Sequence, residues 1–184
     1  MENSVCCSCQ STKAPLTCGM CQEAVCKKCT EFMDEGAFSF EPNVPAELSH
    51  STYCRLCFDA KVSPALDDYN ALKKQAKEVF VFFKDQNKES RLIKRLEDPI
   101  YVPECEDRNE TLLRLAFLAA KGNFNVLVEV DITSEKKREG AYQKTIWKGS
   151  AIPSYVDPRK LTEKNKWSFV RSDGPSYRTP GARR

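Results

Sequence analysis

The chain has 184 residues, a net charge of +3 and ten cysteines. That length allows one or two domains. No stretch approaches the ~20 apolar residues that a membrane-spanning helix needs, and the run Val79–Phe83 is far too short. Met1–Gln10 has neither a basic n-region nor an apolar h-region, which predicts a chain without a secretory leader, held in the reducing cytoplasm. Charge is uneven: residues 1–62 carry −3 and residues 63–184 carry +6. The acidic first segment argues against a grip on an anionic backbone there, because phosphate contacts need Lys and Arg.

Four C-x-x-C pairs crowd into the first third of the chain: Cys6–Cys9, Cys18–Cys21, Cys26–Cys29 and Cys54–Cys57. Two intervening residues let a tight turn aim both sulfurs at one ion. Four thiolates at about 2.3 Å complete a tetrahedral site, so eight predict two structural Zn²⁺ ions. The alternative, a disulfide framework, needs an oxidising compartment. Residues 1–62 have little hydrophobic periodicity and are too few to bury a large core, so metal must supply folding free energy. Phe38 and Phe40 alternate with Ser39 as in a short strand, and Asp34–Gly36 reads as a turn. Cys7 is expected to be a non-ligand, His50 a surface-loop residue, and Cys105 a small buried hydrophobe.

The run Cys18-Gly-Met-Cys21-Gln-Glu-Ala-Val-Cys26-Lys-Lys-Cys29, with Tyr53-Cys54-Arg-Leu-Cys57-Phe58 as a closing pair, resembles FYVE-type cross-brace zinc fingers. The four-residue gap between Cys21 and Cys26 sets it apart from RING fingers. The resemblance implies interleaved pairing: Cys6, Cys9, Cys26 and Cys29 on one zinc, and Cys18, Cys21, Cys54 and Cys57 on the other. The family's phosphoinositide-binding basic histidine motif is absent; Thr12–Cys18 holds one Lys and no His. The N-terminal Trp-x-x-Asp is absent too. The resemblance therefore implies the scaffold, while phosphoinositide binding is not expected.

Ser63-Pro64 reads as an N-cap with Pro at the first helical position. Leu66, Tyr69, Leu72, Ala76, Val79, Phe80 and Phe83 follow at helical spacing, a linking helix; Val79–Phe83 is alternatively a buried strand, and helix is preferred. Arg91–Leu96 resumes helical spacing, and Ile100–Val102 is a short strand ended by Pro103. A second helix carries Leu112, Leu113, Leu115, Ala116, Leu118, Ala119 and Ala120 and stops at Gly122. Val126–Ile132 alternates as a half-buried strand. Glu135–Gly140 is a charged turn, and Ala141–Ala151 is the returning strand. Ala119–Val128, with Trp147–Ile152, faintly resembles YbjQ-like small α/β domains.

The expected class is α+β: a two-zinc finger over 1–62, an α+β domain over 63–156 (linking helix, helix and β-hairpin), and a basic, disordered tail over 157–184. No catalytic constellation emerges. There is one histidine, no nucleophile elbow, no phosphate-cradling glycine loop and no H-E-x-x-H. The function expected is that of a non-enzymatic adaptor working through protein–protein contacts. The alternatives are a phosphoinositide-binding module, nucleic-acid binding through the basic C-terminal half, and a zinc-finger ubiquitin ligase.

Overall fold

The computed structural model describes residues 5–85 and 90–161. The chain falls into two compact units, Met1–Leu72 and Lys73–Arg184.

The first unit is built from two short antiparallel ladders and a helix. Strand β1 (Leu16–Thr17) pairs with β2 (Ala24–Val25), and β3 (Thr30–Phe32) pairs with β4 (Thr52–Cys54). Chain reversals at the cysteine pairs leave so little length that, among the described residues of this unit, no strand exceeds three residues. Cys6, Cys18, Cys26 and Cys54 are buried beside Ala14, Val25, Tyr53 and Val62, so sulfur fills the place that larger aliphatic side chains would take in an ordinary core. The Tyr53 hydroxyl accepts from His50 N–H at 3.0 Å and donates to Glu47 O at 3.1 Å, which ties the preceding loop to this core.

Helix begins earlier than the Ser63-Pro64 pair suggests. Strand β4 runs directly into α1 (Arg55–Cys57), then a π-helical turn over Phe58–Val62, then α2 (Ser63–Ala76). Ser63 is therefore an interior helical residue and not an N-cap; its N–H reaches back five residues to Phe58 O. The reason lies in Pro64, which has no N–H to donate and whose ring crowds the carbonyl four residues before it. A widened turn immediately upstream absorbs that conflict. The strand expected at Phe38–Phe40 is instead a run of turns. Phe38 takes a left-handed conformation (φ 59°), and its buried ring meets Tyr69 of α2 edge-on at 5.3 Å.

The second unit is a four-stranded sheet in the order β5-β7-β8-β6: β5 (Phe80–Phe83), β7 (Val126–Glu139), β8 (Tyr142–Ser154) and β6 (Ile100–Cys105). The expected hairpin is thus the middle of a sheet. β5 adds parallel to β7, and β6 adds antiparallel to β8. Three sequence expectations are corrected here. Val79–Phe83 is not the end of the helix: Phe80–Phe83 is strand, with Val81 and Phe82 both buried on opposite faces. Arg91–Leu96 is turns and irregular chain: Leu92 and Leu96 face solvent, so their helical spacing has no core to serve. β6 continues through Pro103, accommodated at a register shift between Val102 and Cys105.

Helix α3 (Arg108–Lys121) covers one face of the sheet. Asp107 caps it, its side chain accepting from Glu110 N–H at 2.9 Å. The helix stops with Asn123, and not Gly122, in the left-handed region (φ 60°). A Cβ on Gly149 would lie 2.8 Å from Thr111 and 2.9 Å from Leu115, so this glycine lets α3 approach the sheet. On the opposite face Phe82, Val126 and Val128 form a cluster with Phe80, Ile93, Ile152, Val156 and Leu161. Of the tail expected to be disordered from Asp157, Pro158–Lys160 forms an exposed 3₁₀ turn and Leu161 packs against this cluster. The remainder of the tail lies outside the described residues. The charged turn expected at Glu135–Gly140 is mostly strand; the reversal is tighter, at Gly140 (φ 63°) and Ala141.

Candidate metal centre

The first two cysteine pairs form knuckles of the same build. In one, Cys6 N–H donates to Ser11 O at 2.9 Å and Gln10 N–H donates to Cys6 O at 3.0 Å. In the other, Cys18 N–H donates to Glu23 O at 2.9 Å and Gln22 N–H to Cys18 O at 3.0 Å. Gln10 and Gln22, each immediately after the second cysteine, both have φ 61°. A left-handed residue there reverses the chain and turns the two preceding sulfurs to one side. Gln22 closes its knuckle further, donating from Nε2 to Gly19 O at 2.7 Å.

The partner pairs come from other elements. Cys26 and Cys29 lie in the turn between β2 and β3, held by Cys29 N–H and the Thr30 hydroxyl, both donating to Cys26 O at 3.0 Å. Cys54 ends β4 and Cys57 ends α1. Each partner's first cysteine then donates its N–H to the first sulfur of a knuckle: Cys26 to Cys6, at 3.4 Å, and Cys54 to Cys18.

This brings the eight sulfurs together as two groups, Cys6/Cys9/Cys26/Cys29 and Cys18/Cys21/Cys54/Cys57, with all four sulfurs of each within 4.8 Å of one another. Pairs alternate between groups along the chain. Cys18 and Cys21 do not join Cys6 and Cys9, which excludes two successive ribbons. A tetrahedron with 2.3 Å metal–sulfur bonds has edges of about 3.8 Å. Cys9 and Cys26 are 3.6 Å apart, and Cys21 and Cys54 are 4.0 Å apart. All ten cysteines are free thiols, and these separations are far beyond the ~2.05 Å of a disulfide bond. The donor set and its spacing fit one metal ion per group.

Electrostatics point the same way. The N–H groups of Cys26, Cys9 and Ser8 hold the Cys6 thiol down at about 6 against the opposing effect of burial. Burial is the largest influence on Cys18 and pushes its thiol up. The N–H groups of Cys54, Cys21 and Met20 outweigh it and bring this thiol to about 6 as well. The last member of each group moves the other way. Cys29 is pushed up to about 12 by the sulfurs of Cys9 and Cys26, and Cys57 is pushed up by burial and by the Cys54, Cys21 and Cys18 sulfurs. Each group thus has one sulfur, Cys6 or Cys18, prepared for negative charge, beside two that are pushed up, Cys9 and Cys29 or Cys21 and Cys57. A cation at the centre removes that conflict.

Among the described residues His50 belongs to no such group; it is exposed and lies over the second knuckle, where a Cβ on Gly19 would meet its ring. Cys105 is buried as expected, and burial pushes its thiol up. The equivalence of Gln10 and Gln22 was visible in the sequence as the repeat C-x-x-C-Q twelve residues apart, a signal that the cysteine spacing overshadows. The basic segment beyond Leu161 lies outside the described residues. Among the described residues, no helix is long and apolar enough to cross a membrane.

The chain matches no family model, no curated protein and no solved structure.

Proposed function

We propose that the two four-cysteine groups hold two structural Zn²⁺ ions and that residues 1–62 act as a cross-brace finger in a non-enzymatic adaptor. The observation that carries this reading is the pair of interleaved, disulfide-free tetrathiol groups whose sulfur separations match a tetrahedral ion. Four thiolates per ion favour a thiophilic, geometrically undemanding cation, and zinc is the common one. Four protein ligands leave no position for water or substrate, which suits scaffolding rather than catalysis.

A surface for a protein partner is available on the same unit. Phe32 is 64% exposed and Leu56 is 69% exposed. A groove of about 360 Å³ is lined by the apolar Met33, Ala37, Val44 and Leu48 together with the acidic Asp34 and Glu35. A lining both apolar and acidic favours a peptide of apolar and basic character. Anionic lipid headgroups suit this acidic segment poorly.

Metal analysis of the purified chain is expected to find two zinc ions per molecule. Capture of a protein partner by the zinc-loaded chain is expected to fail after chelation and to weaken in Phe32→Ala. A chain without tightly held metal would overturn the zinc reading. Headgroup-selective flotation with vesicles containing phosphatidylinositol 3-phosphate would replace the adaptor with a membrane module.

A further inference from the structure

Cys7 is the one cysteine of the first unit outside the two groups, and it packs at the edge of that unit's core. It is half-buried, and its sulfur converges with the Cys21 sulfur and a Glu23 carboxylate oxygen, all within 4.8 Å of one another. We propose that Cys7, Cys21 and Glu23 form a third metal position, weaker and open to solvent, for a borderline-soft divalent cation such as Zn²⁺, Cd²⁺ or Co²⁺. The Cys21 thiolate bridges this ion to the one in the Cys18/Cys21/Cys54/Cys57 group, so the inference rests on that group being metal-loaded.

The backbone holds the three donors in place. Cys7 N–H donates to Ala24 O at 2.9 Å, which pins the first knuckle against β2. Glu23 O accepts from Cys18 N–H at 2.9 Å, and Thr17 pairs with Ala24, so Glu23 is fixed beside the second knuckle. An ion with bonds of about 2.0–2.3 Å needs donors some 3.3–3.8 Å apart. Donors already within 4.8 Å reach that by small side-chain rotations. A thiolate keeps lone pairs after binding one metal, and Cys21 is exposed to solvent. Four thiolates around one divalent ion leave two negative charges, and the Glu23 carboxylate adds another nearby, so the position attracts a second cation.

The chemistry differs from that of the closed groups. Two sulfurs and one oxygen leave a fourth position for water or an incoming ligand. That makes an exchange position, from which an ion can reach the second group by passing across the shared sulfur.

The test is titration of the full chain with Cd²⁺, read by native mass spectrometry and by equilibrium dialysis against a weak chelator. Wild type is expected to take up three equivalents, two tight and one at least tenfold weaker and lost first. Cys7→Ser and Glu23→Gln are each expected to hold only the two tight ions. Glu23→Gln alters an exposed side chain and leaves all eight paired cysteines, so it serves even if Cys7→Ser folds poorly. Two tight equivalents and no third in wild type, or a third retained in Glu23→Gln, would overturn the inference while leaving the two-zinc reading standing. Absence of the tight equivalents would overturn both.

Discussion

Gly19 and His50 are thirty-one residues apart in sequence and in contact in space. The His50 side chain occupies the volume that any Cβ at position 19 would need, with its own Cβ 2.3 Å from that point. Gly19 N–H also donates to Thr52 O at 2.9 Å, so the knuckle cannot move away without breaking a backbone bond. Gly19→Ala is therefore expected to cost about 1–3 kcal/mol, as overpacking does. Adding His50→Gly should restore most of it. Thermal unfolding of the metal-loaded single and double variants checks this, and equal loss in both would contradict it.

Gln10 and Gln22 share a left-handed backbone, which costs a non-glycine residue about 1 kcal/mol or more. Glycine at position 10 should relieve that strain, for a gain of up to ~1 kcal/mol after the added freedom of the unfolded chain. Gln22→Gly forfeits the 2.7 Å side-chain bond to Gly19 O and should come out near neutral. Denaturant midpoints at fixed metal concentration compare the two; a larger gain at position 22 would show that the side-chain bond contributes nothing.

Interleaved groups make a sharp prediction for Cys54→Ser. The variant should lose the ion shared by Cys18, Cys21 and Cys57 and keep the one held by Cys6, Cys9, Cys26 and Cys29. Metal content should fall from two tight ions to one. Structural zinc contributes on the order of 10 kcal/mol in small domains, so full chelation should unfold the first unit while far-ultraviolet circular dichroism retains the sheet of the second. Loss of both ions in Cys54→Ser would show the groups to be mutually dependent.

How much of this was legible follows from what each residue answers to. The eight cysteines are plain in the sequence because a metal demands fixed spacing, and the structure groups them as the cross-brace resemblance implies. Val79–Phe83 misleads because a strand buried on both faces has no alternation, so its apolar run also fits the end of the preceding helix. Leu92 and Leu96 mislead for the opposite reason, having the right spacing with nothing to pack against. Ser63-Pro64 carries a start signal that the upstream helix overrides, since Cys57 already commits the chain to helix. The convergence of Cys7 on Cys21 depends on how two knuckles dock, which no local pattern encodes.

Lys137 donates to both carboxylate oxygens of Glu104 at 2.9 Å. Its hydrogen bond and charge hold Glu104 below the usual carboxylate range, and Glu104 in turn raises Lys137. The sign follows: the pair's contribution is present above the ordinary Glu value, fades as pH falls through the depressed Glu104 value, and fades again as pH rises through the raised Lys137 value. Carboxyl NMR titration should place Glu104 below a free Glu, returning towards it in Lys137→Met. An unchanged titration in that variant would remove Lys137 as the cause.

Cys7 and Cys105 are the two thiols outside the four-cysteine groups, and they should react differently. Cys105 is 4% exposed, and burial pushes its thiol up, so little thiolate forms near neutral pH. Cys7 is half-buried at the surface. Brief iodoacetamide treatment of the chain carrying two ions should modify Cys7 and spare Cys105, as read by peptide mass spectrometry. Equal labelling would mean that the second unit opens readily at β6.

The alternation of cysteine pairs also sets an order in time. As the chain leaves the ribosome, the first group is complete in sequence at Cys29, whereas the second has only Cys18 and Cys21 until Cys54 emerges. During that interval two unshielded thiols wait beside a neighbouring group that already has all four of its own. On the two-ion reading proposed above, an ion captured early belongs to the first group, and the segment carrying Phe38 and strand β4 must be synthesised before the second can close. On that reading the first group would load before the second, and a ribosome stalled between Cys29 and Cys54 would hold a half-metallated chain.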